Sequence, residues 1–219
     1  MTPQLQAALK NAARTATVLF VFATIGTALL AFTHDRTEPT IARGQLAAKR
    51  ALLGQVLPAA LYDNDLLTAE QSVPPDDLLG TRQPSSLWLA RRQGQFSGAA
   101  LEAVAPDGYG GDINLLIGID AAGRITGVRV TAHHETPGLG DYIERAKSAW
   151  IDQFSGRSLT NPEPKDWRVA KDGGAFDARA GATITPRAVV KAVKSALDYF
   201  ARHRAAFAAA PPSVKEKKA

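Results

Sequence analysis

The apolar pattern divides the chain before any motif is considered. From Thr15 to Phe32 the run "TATVLFVFATIGTALLAF" carries no charge. At 1.5 Å rise per residue, about 18 residues just cross a hydrocarbon core roughly 30 Å thick. Residues 15–34 therefore predict a spanning helix. The run exceeds the roughly 7 to 15 apolar residues of a cleaved signal, and Phe32-Thr33-His34 offers no small-x-small cleavage site. Lys10 and Arg14 precede it, which predicts a cytoplasmic stretch at 1–14 and the remainder on the far side of a bacterial inner membrane, the periplasm of a Gram-negative cell.

After the anchor, "RTEPTIARGQLAAKRALLGQVLP" places apolar residues at helical spacing between Pro39 and Pro58, a helix leading away from the membrane. Residues 62–84, rich in Asp, Pro and Gln, read as loop with short strands, so 35–84 forms a connector packed on the domain. "SLWLARRQGQFSGAALEAVA" reads as a hairpin turning at Gln93-Gly94. "DINLLIGIDAAGRITGVRVTAHH" alternates Ile113, Leu115, Ile117 and Ile119 on one face, turns at Ala121-Ala122-Gly123, and resumes with Ile125, Val128 and Val130. These strands predict an antiparallel sheet with one buried face. Ile143, Ala146, Trp150 and Phe154 stand at helix spacing after an Asp141 cap, with Gly156 as the stop. "DWRVA" looks like a returning strand. Thr185 as N-cap and Pro186 as first residue open a last helix, whose stripe is Val189, Val190, Val193, Leu197 and Phe200. The order predicts an α+β fold: a spanning helix, then one domain at 85–207 with a twisted antiparallel sheet flanked by helices.

Composition removes some chemistry. The 219 residues contain no cysteine, which excludes disulfides, thiolate metal sites and cysteine nucleophiles. The net charge of +5 is scattered, apart from Lys215, Lys217 and Lys218 in a tail at 208–219. A solvated basic tail, with no nucleic-acid partner, accounts for it.

Two segments carry candidate chemistry. "HHETPGLGD", His133 to Asp141, follows a strand, and Pro137, Gly138 and Gly140 deny it ladder and helix alike. His133, His134, Glu135 and Asp141 carry ligand atoms, but adjacent strand residues point to opposite faces and no HExxH helix exists, so no metal site is expected. "GYGGDIN" lacks the strand–helix context of a dinucleotide fold and the Lys-Ser/Thr of a P-loop, and reads as a turn. In "FDARAGATITPRAVVKAV" the hydroxyl of Thr183 lies before the predicted cap, with Arg187 one turn in. An anion held there and a plain helix cap fit the residues equally well. Neither "FSGAA" nor "FSGRS" sits in a nucleophile elbow, so no hydrolytic serine or other catalytic residue is expected.

Taken together, "GYGGDINLLIGID", "GRITGVRVTAHHETPGLGD", "DGGAFDA" and "GATITPRAVVKAV" with the N-terminal anchor resemble the G subunit of the Rnf (Rsx) ion-translocating electron-transport complex, which is related to the C subunit of the sodium-translocating NADH:quinone reductase. The likeness runs from the anchor to about Phe207. It implies an FMN-binding domain in which the last threonine of Asp-x-x-Ser/Thr-Gly-Ala-Thr is esterified to the phosphate of FMN. Here that threonine is Thr183, with Asp177 as the acidic lead and Gly181-Ala182 in the middle. Ala180 departs from the pattern, removing a hydroxyl that the attaching enzyme could read while leaving the acceptor. The resemblance further implies cofactor contacts from Thr185, Arg187 and the segment Glu135, Thr136, Gly138, Leu139, Gly140. It implies maturation by a flavin transferase, a place among the other subunits of a membrane complex, and a role as electron carrier rather than stand-alone enzyme. A non-redox anchored adaptor is the alternative.

Overall fold

A computed structural model describes residues 3–211. Helix α1, Pro3–Val56, is continuous through Pro39, where a separate second helix was expected. Within its apolar stretch the hydroxyls of Thr17, Thr24 and Thr33 each donate to the carbonyl four residues back, which satisfies polar groups that a hydrocarbon surrounding would leave unpaired. The large side chains from Val18 to Phe32 are exposed, and the helix is long and apolar enough to cross a membrane.

The chain divides after Ala48 into two units. The second contains five strands, β1 (Glu70–Val73), β2 (Ser85–Arg92), β3 (Gln95–Gly108), β4 (Gly111–Asp120) and β5 (Ile125–Ala132), followed by helix α2 (Ile184–Ala209). They form one sheet in chain order, every pair antiparallel. The predicted hairpins fall where the alternation and turn glycines put them, with Leu101 opposite Ile117 and Leu115 opposite Val130.

The sheet is covered on both faces, not one. Ile113, Leu115, Ile117 and Ile119 pack with Val189, Val190, Val193, Leu197 and Phe200 of α2. The opposite face, through Trp88, Ala90, Ala100 and Leu116, packs on Leu53, Val56 and Leu57. The end of α1 is thus part of the domain, and Thr126 donates its hydroxyl to the Val56 carbonyl there. At the far end of α2, the buried Arg91 donates to the carbonyls of Phe207 and Ala210 and to that of Gly94, closing the helix's unpaired C-terminal carbonyls.

Two expectations fail. The helix predicted from Asp141 is two short 3-10 segments, Asp141–Ile143 and Ala149–Phe154. Ser148 interrupts it: its hydroxyl donates to the Tyr142 carbonyl and accepts from the Trp150 N–H, side-chain bonds that compete with the helical ladder. Asp141 does not cap; its carboxylate accepts from the Gly138 N–H. "DWRVA" joins no sheet. Val169 makes one isolated bridge to Phe176, and the segment hydrogen-bonds to itself, Ala170 N–H to the Phe176 carbonyl and Ala175 N–H to that of Asp166. Of the predicted tail at 208–219, the first residues extend or follow α2, and 212–219 lie outside the described residues.

Candidate functional site

Three segments far apart in sequence meet at the start of α2: the β3–β4 turn, the loop after β5 and the loop leading into the helix. They enclose a cavity of about 310 Å³, lined by Tyr109, Glu135, Thr136, Leu139, Gly140, Gly181, Ala182, Thr183, Ile184 and Thr185.

The loop after β5 is fixed by Glu135, 5 % exposed. One carboxylate oxygen accepts the Gly110 N–H at 3.0 Å and the other the Thr185 hydroxyl at 2.5 Å. Its own N–H donates to His133 Nδ1, which leaves Nε2 of that ring to donate to Glu144 at 2.7 Å. The packing is close enough to demand glycine: a Cβ on Gly110 would stand 2.1 Å from the His134 carbonyl oxygen, and one on Gly140 2.5 Å from Glu135 Oε2. Further along, Lys147 bridges Asp141 and Glu144 at 2.9 Å each. Lys147, then the Gly138 N–H, hold the Asp141 carboxyl below the usual carboxylate range. Lys147, then His133, do the same for Glu144, and both acids raise Lys147.

The cap of α2 differs from the sequence expectation. Thr183, not Thr185, occupies the N-cap position, and its hydroxyl makes no capping bond. Thr185 lies inside the first turn, 1 % exposed, with its hydroxyl committed to Glu135. The first N–H groups of the helix have no intrahelical partner, so Thr183 presents a free, half-buried hydroxyl beside unpaired donors, an arrangement that suits a phosphate ester.

Of the residues expected to contact a cofactor, eight line this one cavity. Gly138 and Arg187 do not. Gly138 makes a turn with φ of 77°. Arg187 forms a two-pronged pair with Asp172 at 2.5 and 2.6 Å, holding that acid low, and lines a separate depression with Trp167 and Lys191. Sequence reading missed Tyr109 and Ile184. Among the described residues from Lys49 onward, the exposed large hydrophobic side chains are Tyr109, Leu139 and Ile184, and all three rim this cavity. The signal for Tyr109 was present, an aromatic residue between two glycines in "GYGG".

The cavity volume lies at the lower end of the roughly 300 to 1,000 Å³ of small-molecule sites. An apolar rim, a buried acceptor and free helix N–H groups match a ligand with a flat ring at one end and a phosphate at the other. The comparisons agree: residues 108–198 match the family model for an FMN-binding domain, and residues 1–56 match that for the RnfG N-terminal region. The chain is therefore an FMN-binding-domain protein behind an N-terminal apolar helix. It is 46% identical over 200 residues to the G subunit of an ion-translocating oxidoreductase complex from Aliivibrio fischeri, covering 91% of this chain and 95% of that one. It is 49% identical over 191 residues to the G subunit of such a complex from Pseudomonas aeruginosa (87% and 89% covered) and 50% over 191 residues to that from Yersinia pestis (87% and 91%). The chain belongs to this family, the G subunits of ion-translocating oxidoreductase complexes.

Proposed function

We propose that this chain is the membrane-anchored flavoprotein subunit of an ion-translocating electron-transport complex, relaying electrons through FMN joined by a phosphoester to Thr183. One observation carries the reading: among the two threonines at the start of α2, Thr183 has the free hydroxyl, on the cavity wall, whereas Thr185 is buried and bonded to Glu135. Bound FMN supplies a reversible electron carrier at its ring, and attachment through the phosphate leaves that ring chemically unchanged.

The chain's residues supply attachment, placement and exclusion of water. Thr183 Oγ is the nucleophile when a flavin transferase with a divalent metal cleaves FAD; the new bond is Oγ to the FMN phosphorus, and AMP leaves. Ala180, Gly181 and Ala182 keep this stretch narrow enough to enter another enzyme's active site. The N–H groups of Ile184 and Thr185 are the donors offered to the phosphate, and Tyr109, Leu139 and Ile184 give the ring an apolar bed. The anchor runs through residues 15–34 with the domain on the periplasmic side, where a tether keeps a scarce cofactor from being lost at its off-rate.

The test is co-expression with and without a flavin transferase, followed by intact mass and flavin fluorescence on a denaturing gel. Wild type and Thr185→Ala gain one FMN and Thr183→Ala gains none. Fluorescence surviving in Thr183→Ala sinks the assignment, and a colourless wild type favours an adaptor without redox chemistry. Reporter fusions at either end of α1 test the orientation.

A further inference from the structure

Three acids in the domain are buried: Asp120, Glu135 and Asp141. Two have cations, Arg124 at 2.9 Å from Asp120 and Lys147 at 2.9 Å from Asp141. Glu135 has none among the described residues. Its oxygens accept from neutral donors only, the Gly110 N–H and the Thr185 hydroxyl. A buried carboxylate without a counter-charge is costly, and removing it would be the cheaper solution if packing were all that mattered. This one forms part of the wall of the cavity that holds Thr183. Its two oxygens each have one partner, and neither partner carries charge.

Resting on the FMN reading above, we propose that Glu135 sets the reduction potential of the flavin: its negative charge in the cavity wall opposes the negative charge that reduction brings to the ring. The two donors moderate that charge without cancelling it, so the carboxylate holds the potential down. Placement of the loop and placement of the charge then fall to the same residue. They can be separated by substitution. Glu135→Gln keeps the shape and removes the charge. Thr185→Val keeps the charge and removes one of its donors.

The experiment is a spectroscopic redox titration of flavinylated wild type, E135Q and T185V, each first checked by peptide mass for FMN on Thr183. E135Q shifts the oxidised-to-reduced equilibrium about tenfold toward the reduced form, about 30 mV for a two-electron couple. T185V shifts it the other way, because the charge is less moderated. A clamp that only positions the loop moves both variants in one direction, or neither, and either result overturns the inference. Should E135Q fail to fold, T185V still decides: an unchanged or raised midpoint overturns it. Wild type lacking FMN on Thr183 overturns the attachment reading itself, and equal midpoints with FMN present overturn this inference alone.

Discussion

The two loops that wall the cavity are built in opposite ways. Residues 133–141 are bonded at nearly every step: His133 to Glu144, Glu135 to Gly110 and Thr185, Leu139 and Gly140 to the Thr136 carbonyl, Asp141 to Gly138 and Lys147. Residues 177–183 are tied mainly where they begin. The Asp177 N–H donates to Gln153, its carbonyl accepts the Trp150 ring N–H, and the Arg179 N–H donates to the Tyr142 hydroxyl. After Arg179 come Ala180, Gly181 and Ala182, and the Thr183 hydroxyl has no partner among the described residues. On the proposed function, the wall that sets the flavin's electrostatic environment is the bonded one, and the loop that a flavin transferase would enter is small and accessible.

Glycine substitutions test this contrast most severely. Gly110→Ala drives a Cβ to 2.1 Å from the His134 carbonyl oxygen, and we expect a loss of about 3 kcal/mol or more in urea unfolding. Thr185→Val strips the buried Glu135 of a donor and should cost about 1 to 3 kcal/mol. In the other loop, Gly181 has φ of 86° with open space around its Cβ position, so Gly181→Ala should cost only the left-handed backbone term, about 1 to 2 kcal/mol. If it proves as damaging as Gly110→Ala, the loops do not differ as described.

Acid should act on the rigid wall selectively. The lowered carboxyls of Asp141 and Glu144 contribute stability that is present above the ordinary carboxylate range, near pH 4, and is lost as pH falls through their depressed folded values. Urea midpoints of wild type and Asp141→Asn should therefore differ most above about pH 5 and converge in strong acid. The smallest effect is expected at Ala180, which is exposed. Ala180→Ser should change stability by no more than about 0.5 kcal/mol and leave FMN attachment in place, as intact mass will show.

How far the sequence was legible is a matter of range. Strands β2 to β5 and the stripe on α2 are local periodicities set by burial, and the glycines at their turns act within a few residues. The interrupted helix after Asp141 was not legible, because Ser148 bonds the backbone at Tyr142 and Trp150 only once the chain is folded. The cap was misplaced by two residues for a related reason. Thr185 has the chemistry of an N-cap, but its hydroxyl finds Glu135, 50 positions earlier in the chain. The second buried face needs the end of α1, whose apolar Leu53, Val56 and Leu57 resemble any amphipathic helix until Trp88 and Leu116 are placed opposite them.

Helix α2 is pinned at both ends to the same sheet. Thr185 is held near its start by the carboxylate beyond β5, and the carbonyls of Phe207 and Ala210 are held at its finish by Arg91 from β2. Sliding by one turn, about 5.4 Å, would break both attachments at once. The helix behaves as a strut clamped at two points, so a pull on the chain beyond Ala210 is borne by β2, inside the sheet, before it reaches Thr183. The site at one end of the helix is insulated from whatever tugs on the other.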